Sequence, residues 1–266
     1  MKKRRILLLI VPLLCVLGLF AYLHCTAVKH PIPVLMYHNV VEDEQECNSM
    51  TVTTGRLRKD FHYLQKKGYT PVLPRDLASG NPLPEKPVMI TFDDGYVSNY
   101  TLLYPILQEC GMKAVICPIV CMPDIPADNF CSWDMYREMT ASGLVEVGSH
   151  TYNLHNLDDR NGGFDPDRPN GIQRDPAESD AEFQARVLDD IQKSHDRIEA
   201  ELGCSVNCFS FPFGRTEPDA QELIDTLFPV TLGTVPKTAS LDDGFREMSR
   251  LTVTMDDSLP LLLLRR

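Results

Sequence analysis

The chain has 266 residues, 43% of them hydrophobic and 24% charged, which suffices to bury one sizeable core and argues against a disordered protein. Its formal net charge is −11, and Lys2, Lys3, Arg4 and Arg5 precede the first apolar run, so the remainder is more acidic still. That balance argues against nucleic acid, or an anionic membrane surface, as a partner of the body of the chain.

The basic residues lead into Ile6–Leu23, 18 residues without a charge. This is near the lower limit for crossing a bilayer and long for the apolar part of a cleaved signal. No small-x-small cleavage site follows, and Cys25 lacks the small preceding residue that a lipidation signal needs. The expectation is a signal-anchor over residues 1–30, a single transmembrane helix with its basic end cytoplasmic, and one domain over residues 31–266 outside the cell. The alternative is a cleaved segment and a secreted domain. Of nine cysteines, Cys15 and Cys25 belong to this segment, leaving an odd seven. The spacings of Cys117 with Cys121 and of Cys204 with Cys208 are not those of zinc ribbons, and buried free thiols are favoured over pairing.

Ile32–Tyr37 reads as a buried strand ending at His38, and Glu42–Ser49 as an acidic loop. Thr54 is expected to cap a helix with Leu57, Phe61 and Leu64 at helical spacing, closed by Gly68. A strand then delivers Asp93 and Asp94. It is followed by a helix over about Val97–Glu109, a strand over Ala114–Ile119, a helix over about Trp133–Ala141 and a strand over Leu144–Val147 that presents His150. Asp158–Asp180 breaks the rhythm with Gly162, Gly163, Pro166, Pro169 and Pro176, and reads as a rim, a lid or a plain surface excursion. A long helix over Ala181–Leu202, a strand at Cys208–Phe211, a turn at Pro212–Arg215 and a last strand at Leu251–Val253 follow. The Leu259–Leu264 run either docks on the body or hangs free. Repeated strand–helix units predict an α/β fold with buried parallel strands, a barrel or a wound sheet.

Three of these strands end in chemically able residues: Tyr37-His38, Asp93-Asp94-Gly95 and Ser149-His150. In parallel α/β folds that edge is where active sites assemble. Adjacent carboxylates repel unless their roles are separated, and a divalent metal held by one of them leaves the other free to move a proton. Asp94, His150 and His155 make a plausible three-ligand set with an open position for water.

Thr91-Phe92-Asp93-Asp94-Gly95, with Ser149-His150-Thr151 and a second histidine, closely resembles the polysaccharide deacetylases, the NodB-like carbohydrate esterase family 4. The resemblance covers roughly Pro33 to Val253 and implies a distorted (β/α) barrel that removes acetyl groups from N-acetylglucosamine polymers or xylan. It implies Asp94, His150 and His155 as metal ligands and Asp93 as general base toward water. A backbone N–H near Tyr96 would add an oxyanion donor. Pro33-Val34-Leu35-Met36-Tyr37-His38 resembles the subgroup acting on poly-N-acetylglucosamine, in which the acid motif comes early, and this makes His38 the general acid.

Two departures from the family pattern stand out. His150 and His155 are one residue further apart than the commonest spacing, with Leu154 the extra residue. No arginine precedes Ser210-Phe211-Pro212-Phe213-Gly214, which leaves Arg250 either to orient Asp93 or to serve structure alone. Tyr96, Pro212, Phe213 and Trp133 are candidate substrate contacts, with simple packing the competing reading for Trp133. The expected cofactor is a divalent metal, zinc first, with cobalt, nickel and iron as alternatives. The expected partners are an acetylated surface polysaccharide and the membrane, through the N-terminal helix. The rival functions are a sugar O-acetyl esterase and a non-catalytic glycan-binding envelope protein.

Overall fold

The computed structural model describes residues 28–42, 44, 48–125, 127–156, 170–215 and 217–265. The Ile6–Leu23 span and Cys15, Cys25 and Cys47 lie outside these residues, as does most of the Asp158–Asp180 excursion. No helix among the described residues is long and apolar enough to cross a membrane.

Among the described residues, seven parallel strands build the body of the fold. They are β1 (Val34–Tyr37), β2 (Pro87–Asp94), β3 (Ala114–Pro118), β4 (Val145–Val147), β5 (Cys208–Ser210), β6 (Val230–Leu232) and β7 (Leu251–Thr252). The pairing order β7-β1-β2-β3-β4 makes one continuous sheet. A bridge from Ser149 to Phe209 carries it to the β5–β6 pair, and a bridge from Leu232 to Met248 returns it toward β7. The strands therefore close into an irregular ring, the distorted barrel that the family resemblance implies. Every residue of β2 is buried, consistent with a strand covered on both faces.

Register fixes the working edge. Asp94 pairs with Pro118, so β2 and β3 end level, while β1 ends at Tyr37 beside Phe92, which brings His38 to the same edge as Asp93 and Asp94. His38, Asp93, Asp94, His150 and Ser210 all emerge at the C-terminal side of the ring.

Helix α1 (Thr54–Lys66) follows its apolar spacing, burying Leu57, Phe61 and Leu64; its cap is Thr53, whose side chain accepts the Arg56 N–H. The helix expected over Val97–Glu109 is regular only as α2 (Tyr104–Cys110), after a wide turn over Asn99–Leu103. Pro105 has no N–H to continue the ladder. Asn99 instead donates to the His38 carbonyl at 3.1 Å, and Ser98 donates to Asn39 Oδ1 at 2.7 Å. Helix α3 (Trp133–Ala141) is capped by Ser132 and α4 (Asp180–Leu202) by a Ser179–Glu182 box. Helix α5 (Pro218–Asp225) and strand β6 carry no clear sequence signal, β6 having only three residues. The C-terminal leucine run docks: Leu259 and Leu262 are buried, Leu261 and Leu264 exposed.

Cys110, Cys117, Cys121, Cys131, Cys204 and Cys208 are all free thiols, and all but Cys204 are buried. Neither spaced pair joins a histidine, and among the described residues Asp94, His150 and His155 form the metal-competent group.

Candidate metal centre

Asp94 ends β2 with a left-handed φ of 70°, unusual for a residue with a side chain. The next residue must be glycine. At Gly95, φ is 81° and a Cβ would come within 2.4 Å of the Tyr136 hydroxyl and 2.7 Å of Pro118 Cβ. Thr151, between the two histidines, and Phe213, beside His155, also have positive φ, 73° and 56°. Among the described residues, three of the five such non-glycine positions therefore surround one site, and strain of this kind collects where geometry is imposed for function.

Asp94 Oδ1 lies 3.6 Å from His150 Nε2 and 3.3 Å from His155 Nε2. One ligand atom from each residue falls within 4.8 Å of the others. Bonds of about 2.0–2.1 Å to one tetrahedral ion imply donor separations of roughly 3.3 Å. Asp94 Oδ1 is buried and has no hydrogen-bond partner, an orphan whose cost a cation would remove.

Each imidazole is set with Nε2 toward Asp94. His150 Nδ1–H donates to the Ser210 carbonyl at 2.7 Å, and His155 Nδ1–H to Asn156 Oδ1 at 2.8 Å, leaving both Nε2 lone pairs available. Burial lowers the His150 pKa to about 4 against the opposing carboxylates, so it is neutral and able to ligate at pH 7. The donor set fits a small divalent cation.

Asp93 is held differently. Burial alone would push its carboxyl up, but the Arg250 guanidinium outweighs this, with His150 and His38 adding to the effect, and holds the group well below the usual carboxylate range. Arg250 is fully buried and places Nη1 2.9 Å from Asp93 Oδ1 and Nη2 2.8 Å from Oδ2. Its other N–H groups reach the Gly233 carbonyl, Thr91 Oγ1 and Ser210 Oγ. Ser210 in turn donates to Asp93 at 3.0 Å. Of the two roles open to Arg250 from sequence, the geometry supports orienting Asp93. Ser210 is a residue that sequence reasoning passed over. Its one signal is its place at the end of β5, where a hydroxyl follows two apolar residues.

His38 is half-buried at the end of β1. Burial lowers its pKa while the Asp93 and Asp94 carboxylates pull it back up, which places it among the site's charges. Tyr96 lies beside Asp94, and burial together with that carboxylate raises its phenol to about 12. Its ring stacks on Phe130 with centroids 5.5 Å apart.

Of the expected sugar contacts, Phe213 is 46% exposed with its ring centroid 4.9 Å from that of His155. Pro212 is buried beneath it, its carbonyl accepting from Asn170 Nδ2 at 2.6 Å. Trp133 does not face the site and the stacking expectation fails for it. It is 7% exposed, its indole N–H donates to Asp124 at 2.8 Å, and Arg197 lies over its ring at 5.4 Å. Leu154, the extra residue between the histidines, is buried, so the longer spacing is absorbed by turning one side chain into the core.

The sequence profile of the family described as Polysaccharide deacetylase matches residues 80–227. The chain is 33% identical over 215 residues to the poly-beta-1,6-N-acetyl-D-glucosamine N-deacetylase of Escherichia coli (strain K12), covering 73% of this chain and 32% of that protein. It thus spans about a third of that relative's length. It is 26% identical over 228 residues to the putative polysaccharide deacetylase YxkH of Bacillus subtilis (strain 168), covering 84% of this chain and 71% of that protein. Among solved structures, a de-N-acetylase from Aggregatibacter actinomycetemcomitans superposes with a TM-score of 0.74 at 28% identity, covering 86% of this chain and 97% of that one. With the parallel ring, the Asp-Asp strand end and the paired histidines already in place, these matches make the chain a member of the polysaccharide deacetylase family.

Proposed function

We propose that the chain hydrolyses N-acetyl groups from a cell-surface polysaccharide of N-acetylglucosamine, the substrate class in the name of its Escherichia coli relative. The observation that carries this reading is the placement of a candidate cation site, Asp94–His150–His155, beside a second carboxylate that is separately anchored by Arg250. A divalent cation held there supplies Lewis acidity toward the acetyl carbonyl and makes water at the site more acidic. Two imidazoles and one carboxylate suit zinc first, and cobalt, nickel or iron after it.

Asp93 stays ionised at every physiological pH because of Arg250, so it is always in the form that takes a proton from the attacking water. Arg250 and Ser210 also fix where its oxygens point. His38, on the neighbouring strand end, acts as the general acid by relaying to the departing nitrogen the proton that Asp93 takes from water. The C–N bond then breaks to acetate and a free amine, and the proton drawn from water balances the one given to nitrogen. Phe213 offers an exposed ring beside His155 for a sugar face, and Pro212 shapes the turn that presents it. Tyr96 lies beside Asp94 and stands with Phe130 at the edge of the site.

The domain over residues 31–266 acts outside the cell, tethered through residues 1–30. The support is the basic cluster followed by an uncharged run of 18 residues. Acetate release from β-1,6-linked N-acetylglucosamine oligomers and from acetylated xylan tests the substrate reading. Activity on the first is expected, and activity confined to xylan would reject it in favour of an O-acetyl esterase.

A further inference from the structure

Both histidine ligands stand on a loop that one helix grips from outside the ring. Helix α4 meets this loop with two side chains one turn apart on the same face, Asp190 and Ser194. Asp190 is 7% exposed; its Oδ1 accepts the Tyr152 N–H at 2.8 Å and its Oδ2 the Asn153 N–H at 2.9 Å. Ser194 is fully buried, accepts the Ser149 hydroxyl at 2.8 Å and passes its own to the Ile191 carbonyl. The helix thus holds the residue before His150 and the two residues that lead toward His155.

The loop needs holding. Thr151 is β-branched yet sits at φ 73°, a conformation that persists only when its surroundings impose it. Four residues separate the histidines, so the loop has slack. One element of that slack is taken up where Leu154 packs against Gly171, at which a Cβ would lie 2.7 Å from Leu154 Cδ2. The next element is the pair of backbone N–H groups bound by Asp190. A carboxylate that accepts from two consecutive backbone N–H groups makes charge-assisted bonds, stronger than a neutral acceptor would make.

We propose that Asp190 is a positioning residue for the metal centre: by clamping the Tyr152 and Asn153 amides to helix α4, it fixes His155 within reach of Asp94. The inference rests on Asp94, His150 and His155 being the ligands of one cation. Asp190 is neither one of the three ligands nor a proton-moving group, and the contacts that matter for the metal centre are the two loop amides it binds. Groups that orient metal ligands in this way are worth about 10–100-fold in metal affinity. Asparagine at this position would keep one acceptor and turn an NH2 group toward an N–H donor.

The test is zinc affinity of the full chain, by competition with a chromogenic chelator, together with the visible spectrum of the cobalt form. Both are measured for the parent, Asp190→Asn, His155→Ala and the double variant. Asp190→Asn is expected to weaken zinc binding about 10–100-fold and to alter the cobalt spectrum. In the His155→Ala background, where the clamped stretch no longer ends in a ligand, the same substitution should change affinity by about twofold or less. Unchanged affinity and spectrum, or equal losses in both backgrounds, would overturn the proposal and leave Asp190 a general support of the fold. If Asp190→Asn does not fold, Asp190→Glu, which moves the carboxylate by one methylene, carries the same comparison in both backgrounds. A parent chain that takes up no zinc would overturn the metal-centre reading itself, a different outcome from a parent that binds and a variant that matches it.

Discussion

Arg250, just before the strand that closes the ring, and Asp93, at the end of β2, meet as a two-pronged ion pair with bonds of 2.9 and 2.8 Å, both residues almost wholly buried. All five guanidinium N–H groups have acceptors, so the pair is satisfied as well as buried. It separates the adjacent carboxylates, Asp93 facing the arginine and Asp94 the imidazoles.

Removing one member strands the other's charge in the interior, which typically costs about 3–5 kcal/mol. Arg250→Met should therefore destabilise the metal-free protein by about that amount in urea unfolding. Asp93→Asn combined with Arg250→Met should lose less than the two single variants together, because neither charge is then left alone. A strictly additive double variant would contradict the pairing.

Asp93→Asn and His38→Gln should each bind zinc as the parent does while turning over about 10²–10⁴-fold more slowly, the range for a lost proton-transfer group. Asp94→Asn and His150→Ala should lose the metal as well. Metal content by atomic absorption, beside acetate release, separates the two classes. A metal-free Asp93→Asn would move that residue into the ligand set.

His150 gives the metal-free protein a pH dependence with a definite sign. Its folded pKa of about 4 lies below the ordinary 6.5, so as pH falls the unfolded chain takes up this proton first. Stability from this residue is full above the ordinary value and is lost progressively on the way down to about 4, by about 3 kcal/mol in all. His38, also lowered, acts in the same direction. Asp93 contributes only at more acid pH, where its own depressed carboxyl titrates. Unfolding free energies between pH 7 and 4, with a chelator present, should fall steeply for the parent and less so for His150→Gln. Parallel curves would contradict a neutral, buried His150.

Phe213→Ala should raise KM for glycan oligomers about 2–10-fold with kcat little changed, as expected for roughly 0.5–1.5 kcal/mol of stacking felt equally in ground and transition states. Trp133→Phe should leave KM unchanged and cost stability through the lost Asp124 hydrogen bond. A KM effect at Trp133 comparable to that at Phe213 would restore the ring to the groove.

What the sequence made legible is what local pattern encodes. An apolar run ending in Asp93-Asp94-Gly95, and another ending before His150, state both a buried strand and the chemistry at its tip, and the structure brings those tips together. The role of Arg250 was not decidable, because it depends on the register of a two-residue strand against a partner far away in sequence. Trp133 misled for a similar reason: its ring is claimed by Asp124 on one side and Arg197 from α4 on the other, contacts invisible to spacing. The wide turn before α2 did have a local cue in Pro105, but the pull of Ser98 and Asn99 toward the His38 segment is tertiary. Strand β6 is too short for any period to register.

The most direct test of the centre is X-ray absorption at the zinc edge on the zinc-loaded full chain. One ion per chain with a nitrogen and oxygen shell near about 2.0–2.1 Å, abolished by His150→Ala, is the expected result. A sulfur shell near about 2.3 Å, or an ion retained unchanged in His150→Ala, would place the metal elsewhere and contradict the account.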